Sequence, residues 1–358
     1  MRRLKGLCRW LQRDEGVSLV LIGVMLAVIL GLAGMAVDLG AVYAERRELR
    51  NGADAAALAI AEDCGMGTRP CNDPTALSTA EQYADANAWD NDSAVESVNL
   101  AFTGPTTGSV RVVTSAWDAA AGQAGVRVPL MSMLGFGRVN VGAAATAIFD
   151  HPASGGGIPL IIGECEFCTA IGGCPPELGR IFGPGTSATL VFKDPSKDPS
   201  APCPADPAGK DAPGSFGWLD TDGTMCWVEW DIELPMLPAD PGVSPSTGCD
   251  PADLAALLSQ ADGVLLPIYT DICRDPAGTQ CDDGDAGGGN TYYKVEGFAS
   301  FRLQSYYLGG QYRHPAGFSC DTGNNSDRCI QGYFTKNTVY TGKVGGQNYG
   351  VVLVKLTE

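Results

Sequence analysis

The densest chemistry in the chain lies in two short stretches. Residues 165–174, CEFCTAIGGC, bring Cys165, Cys168 and Cys174 together, and thiolates at that spacing can bind zinc or exchange disulfides. Zinc sites usually combine two such pairs, and a redox C-x-x-C sits in a βαβ setting. Neither context surrounds these residues, so structural disulfides to distant partners are the expectation. Residues 281–290, CDDGDAGGGN, place Asp282, Asp283 and Asp285 in a Gly-rich loop where three carboxylates can hold calcium. Their spacing fits no EF-hand, and a solvated acidic turn is the commoner use of such a run. LDTDG at residues 219–223 carries the same weak signal.

General acid–base chemistry has little to draw on. The only histidines are His151, in a Gly- and Pro-rich stretch, and His314, beside Pro315. No G-x-S-x-G elbow, H-E-x-x-H pair or P-loop occurs. The expectation is a protein with no catalytic role, no resident metal and no cofactor. Trp218, Trp227 and Trp230, with the tyrosine pairs at 292/293 and 306/307, can form a face for sugar or protein; aromatics in strands more often fill a core, which is the reading preferred.

The elements that carry these residues are set by composition and patterning. With 358 residues and 45% hydrophobic content the chain can bury real cores. Its net charge of −17 is uneven: Arg2, Arg3, Lys5, Arg9 and Arg13 crowd the front, and beyond Glu15 there are 19 basic against 39 acidic residues. A surface of that sign repels phosphate backbones and excludes nucleic acid as a partner.

Residues 17–37 carry no charge. As a helix they span about 30 Å, the hydrocarbon thickness of a bilayer, so membrane lipid is an expected partner. A secretory signal peptide also opens with a basic region and an apolar run, but its core is shorter and ends at a small-x-small cleavage site. Here helix-forming sequence continues through residues 38–64, DLGAVYAERRELRNGADAAALAIAEDC, and a retained single-pass anchor is expected. Five basic residues precede the span and three, Arg46, Arg47 and Arg50, follow soon after, which places the tail in the cytoplasm. Cysteine parity agrees: of thirteen cysteines only Cys8 precedes the span, leaving twelve to pair in an oxidising compartment. Small residues recur at Ala27 and Gly31, then at Ala36, Gly40 and Ala44. The stripe either admits a partner helix or reflects the ordinary composition of membrane helices.

Residues 13–61 resemble the N-terminal segment of the TadE/TadG-like Flp pilus-assembly family. The likeness lies in the order of parts: an acidic residue and Gly before the apolar run, then A-V-D-L-G, a charged turn, and N-x-A-D-A-A-A-L-A. Its motif positions here are Asp38, Gly40, Asn51, Ala53 and Asp54. A weaker likeness runs on to about residue 149. The resemblance implies a membrane-anchored component of the tight-adherence pilus machinery, with a pilin-like long helix and other pilus-assembly membrane proteins as partners. Processed pilin-like relatives carry Glu five residues after the cleaved Gly; that position is Leu21 here, so such processing is not expected. The D-x-S-x-S signature of the large relatives' metal site is also missing.

The fold class expected is α+β. A basic tail (1–16) and a long helix (17–64) precede a small α+β domain (65–150). A Gly-rich linker (151–157) then leads to a Cys-rich, β-rich domain (158–358). Asp73 and Pro74 read as a helix start, residues 95–102 and 109–116 as a hairpin, and residues 138–149 as a strand. Asp250 and Pro251 open a second short helix. Residues 293–307 alternate as a long strand, and 351–356 form a buried one. Short loops favour the pairs Cys64 with Cys71, Cys273 with Cys281, and Cys320 with Cys329; the connectivity of Cys165, Cys168, Cys174, Cys203, Cys226 and Cys249 stays open. Two functional readings follow. One is an anchoring or organising component of an adhesive pilus. The other is a surface module, borrowing the same anchor, that binds an external ligand of unknown kind.

Overall fold

The computed structural model describes residues 15–173, 182–191, 216–234, 236–240, 244–278, 292–320 and 328–357. The first element is helix α1, Glu15–Met66, 52 residues without a proline and about 78 Å long. Its two halves meet different surroundings. Residues 18–33 are exposed on every side, whereas a stripe at three- and four-residue spacing from Leu49 onward is buried: Ala53, Ala56, Ala57, Ile60, Ala61 and Cys64. A disulfide from Cys64 to Cys71 ties the last turns of α1 to helix α2, Asp73–Asn87. Asn72 caps α2, its side chain accepting from the Thr75 amide, one residue earlier than the Asp-Pro signal suggests.

Both helices lie on a mixed sheet whose strands run in the order Ser93–Phe102, Gly108–Asp118, Gly142–Asp150, Val351–Leu356, Asn337–Val339. The expected hairpin is present, with Phe102 opposite Gly108. Val110, Val112, Ala145, Ala147, Phe149, Val352 and Val354 share a core with the alanine stripe of α1. Small side chains on both partners let helix and sheet approach closely.

Three expectations are corrected here. Residues 158–358 do not form one unit, because Val351–Leu356 returns to the first sheet, with Leu353 opposite Asp150 and Leu356 opposite Ala147. Val352 and Val354 complete the apolar face on which α1 rests. The strand expected over residues 138–149 divides: Arg138–Val139 pairs with Val126–Arg127 in a separate ribbon, and Gly142–Asp150 alone joins the sheet. The stretch 151–157 is no free linker, since Ser154–Gly157 pairs antiparallel with Val228–Asp231. Its glycines make room for tryptophan; a Cβ on Gly157 would lie 2.8 Å from Cη2 of Trp230.

A second, nine-stranded sheet centres on the long strand Tyr292–Gly309, which pairs antiparallel with Val264–Cys273 and with Cys329–Thr335. Met236–Asp240 pairs both with Phe216–Leu219 and with the start of the long strand, closing five strands into a ring. The core holds Phe167, Trp218, Phe301, Phe334 and Tyr349, and a second cluster contains Trp230, Tyr269, Tyr293 and Phe298. Burial pushes the Tyr293 hydroxyl up to about 12. Helix Pro251–Leu257 opens on a capping box between Asp250 and Asp253. Disulfides join Cys226 to Cys249 and Cys320 to Cys329.

The two sheets meet beside the end of α1. Lys336 donates to the carbonyl of Met66 at 2.6 Å, a cation placed where the helix dipole is negative. Glu62 accepts from Thr338 and, at 3.4 Å, from Tyr340. His151 is buried at the same junction, Nδ1 lying 3.0 Å from the Val351 carbonyl and Nε2 2.9 Å from the Thr106 hydroxyl.

Desolvation lowers the His151 pKa below 6.5, outweighing the hydrogen bond to Val351 and the nearby Asp150 carboxylate. The unfolded chain therefore takes up a proton at a higher pH than the folded one. The stability contributed by neutral His151 is full above pH 6.5 and falls as pH drops towards the folded pKa, by at most about 1.4 kcal/mol per pH unit. Denaturant titrations of the detergent-solubilised chain between pH 7.5 and 5 should show that loss, and His151→Gln should flatten it.

Candidate functional site: a bare helix and the turn that caps it

Eleven large apolar side chains between Leu19 and Leu32 are more than half exposed. Leaving them in water forgoes on the order of 10–20 kcal/mol of burial free energy, as much as or more than the whole net stability of a typical domain. Lipid or another chain must cover them. Among the described residues this is the one helix long and apolar enough to cross a membrane. Ala27, Gly31, Ala36, Gly40 and Ala44 are all exposed, and the surroundings of Gly31 and Gly40 are open. The small-residue stripe therefore has no partner within the described residues.

The five motif positions separate by role. Asp38 is 2% exposed although it directly follows the apolar run. Its carboxylate accepts from the Met131 amide at 2.5 Å, which secures the turn Met131–Leu134 against the side of α1. Four residues earlier, Gly34 leaves room for Leu130; a Cβ there would sit 3.2 Å from Leu130 Cβ. Ala53 lies in the helix–sheet core, and Asn51 is exposed. Asp54 Oδ1 is buried without a hydrogen-bond partner, and that burial raises its pKa, opposed by Arg50. Arg46, Arg47 and Arg50 are exposed, about two to three turns beyond Asp38.

The residues that suggested chemistry are dispersed. Cys165 and Cys168 are disulfide-bonded, which removes them as thiolate ligands for zinc; Cys273 is disulfide-bonded too. Cys174, Cys203, Cys281, Asp282, Asp283 and Asp285 lie outside the described residues. The Asp222 carboxylate of LDTDG is turned onto the amide and hydroxyl of Thr224, which lowers its pKa. Trp218, Trp230, Tyr293 and Tyr306 are buried, and Trp227 is half exposed. The contacts that sequence reading missed, Met131 with Asp38 and Lys336 with Met66, join residues 93 and 270 positions apart.

Residues 16–62 match the model of the Flp pilus-assembly TadE/G-like family. The match covers the bare half of α1, Asp38 and most of the alanine stripe, and stops short of the weaker likeness through residue 149. No curated protein and no solved structure matches the chain.

Asp38→Ala leaves the Met131 amide without its acceptor and should cost about 1–3 kcal/mol. Asp38→Asn keeps an acceptor and should cost less. Hydrogen exchange at Met131 in detergent micelles reads this directly: protection is expected to fall sharply in the alanine variant and only partly in the asparagine one.

Proposed function

We propose that this chain is a non-catalytic, single-pass membrane component of Flp-type pilus assembly that anchors or organises the pilus at the cell envelope. The observation that carries the reading is the family match at residues 16–62, which falls on a helix whose first half is bare and apolar. The tail before residue 17 is cytoplasmic and the strand-rich bulk lies on the other side. Five basic residues before the span and a disulfide-bonded far region support that orientation.

Physically, such a component needs a grip on the membrane and a stiff connection to what it holds. The second half of α1 is packed on the first sheet, and two side chains bind that sheet to the second: Asn337 donates to the Ser300 hydroxyl and Asn348 to the Thr106 hydroxyl. A force on the distal strands therefore passes to the membrane helix with little slack. The stripe from Ala27 to Ala44 gives other pilus-assembly membrane proteins a surface for close approach.

Deleting the gene should abolish surface pili, and the full-length chain should restore them. A deletion strain with normal pili and adhesion would contradict the reading. In intact cells, membrane-impermeant maleimide applied after reduction should label the cysteines beyond the span.

A further inference from the structure

Residues 129–136, PLMSMLGF, form the tip of the ribbon made by Val126–Arg127 and Arg138–Val139. The tip is apolar in sequence, yet the Leu130 and Phe136 side chains are 46% and 57% exposed. We propose that this tip is a second membrane contact, lying in the lipid interface beside α1. The inference rests on reading α1 as membrane-embedded.

Position along the helix carries the argument. The exposed apolar surface of α1 does not stop at Val37: Leu39 and Tyr43 are 57% and 72% exposed, and the first exposed charges are Arg46 and Arg47. The lipid–water boundary therefore falls between about residue 37 and residue 45, where Tyr43 suits an interfacial belt. Leu130 touches Gly34 and Met131 is bonded to Asp38, so the tip lies at or below that boundary. Lipid that covers the helix at this level must meet the outer surface of the tip as well.

The polar groups of the tip fit such a place. Backbone amides that reach the hydrocarbon without partners are costly, so a turn at the edge of that region is stabilised by internal partners for its amides. Here the amides of Met131, Ser132, Gly135 and Phe136 all donate, to Asp38, Val128, Ser132 and Met131. Asp38 is the only ionisable residue between residues 17 and 42, and the turn covers it. At the base of the ribbon Arg127 and Arg138 share the Asp118 carboxylate, and Arg127 reaches towards solvent at headgroup level.

A photoreactive benzoylphenylalanine placed singly at Leu130, Phe136, Leu26 or Phe102 of the full chain tests this in phosphatidylcholine–phosphatidylglycerol vesicles. Leu26 reports the span itself, and Phe102 is an exposed aromatic that packs on Phe149, whose Cβ lies close to Gly65 near the far end of α1. After irradiation, lipid adducts are expected at 130 and 136 in yields comparable to position 26, with none above background at 102. Adducts at 26 without adducts at 130 and 136 overturn the proposal while leaving the span intact. A crosslink from 136 to a second protein chain instead of lipid overturns it as well. Absence of lipid adducts at 26 removes the span, and the interfacial tip with it.

Discussion

A single unbroken helix has to satisfy two solvents. From residue 18 to 33 its side chains find nothing among the described residues to pack against, and from Leu49 to Cys64 the same rod is a core element with eight buried positions at helical spacing. Neither half explains itself alone. The bare half is untenable in water, and the alanine stripe is too small-featured to associate strongly unless a sheet is brought close and held there. Continuity of the backbone hydrogen bonds through Gly40 and Gly52 converts these two local demands into one mechanical unit.

Four restraints fix that rod. The disulfide between Cys64 and Cys71 locks its far end to α2, and Lys336 donates to its last carbonyl, that of Met66. The terminal strand Val351–Leu356 closes the sheet beneath it, and Asp38 ties the ribbon tip to its side at the other end of the packed region. These restraints lie at both ends of the packed half, which keeps the strand-rich mass from pivoting about the helix. The excess of acidic residues beyond Glu15, 39 against 19 basic, adds self-repulsion, and the disulfides offset it by restricting the unfolded chain.

The helix was legible because its signals are local: an uncharged run of the right length, then alanines at three- and four-residue spacing. The hairpin of Ser93–Phe102 and Gly108–Asp118 and the long strand Tyr292–Gly309 were legible for the same reason, as alternation confined to neighbouring residues. What escaped the sequence is non-local. A run such as VVLV is buried in either sheet, so residues 351–354 say nothing about which one takes them; that is decided by pairing with residues some two hundred positions earlier. The glycines at 155–157 read as a linker because a missing side chain looks the same whether it gives freedom or makes room for Trp227 and Trp230. Asp38 stood out as a motif residue, yet its partner is a backbone amide with no side-chain signature.

The central claim is that the helix stays in lipid as part of the mature protein. The most direct test is the N-terminal mass of the chain recovered from alkali-washed cell membranes. The account predicts that the protein remains in the membrane pellet and that its N-terminal peptides include residues 17–37. Release into the alkaline supernatant, or a mature chain that begins beyond Val37, would contradict it.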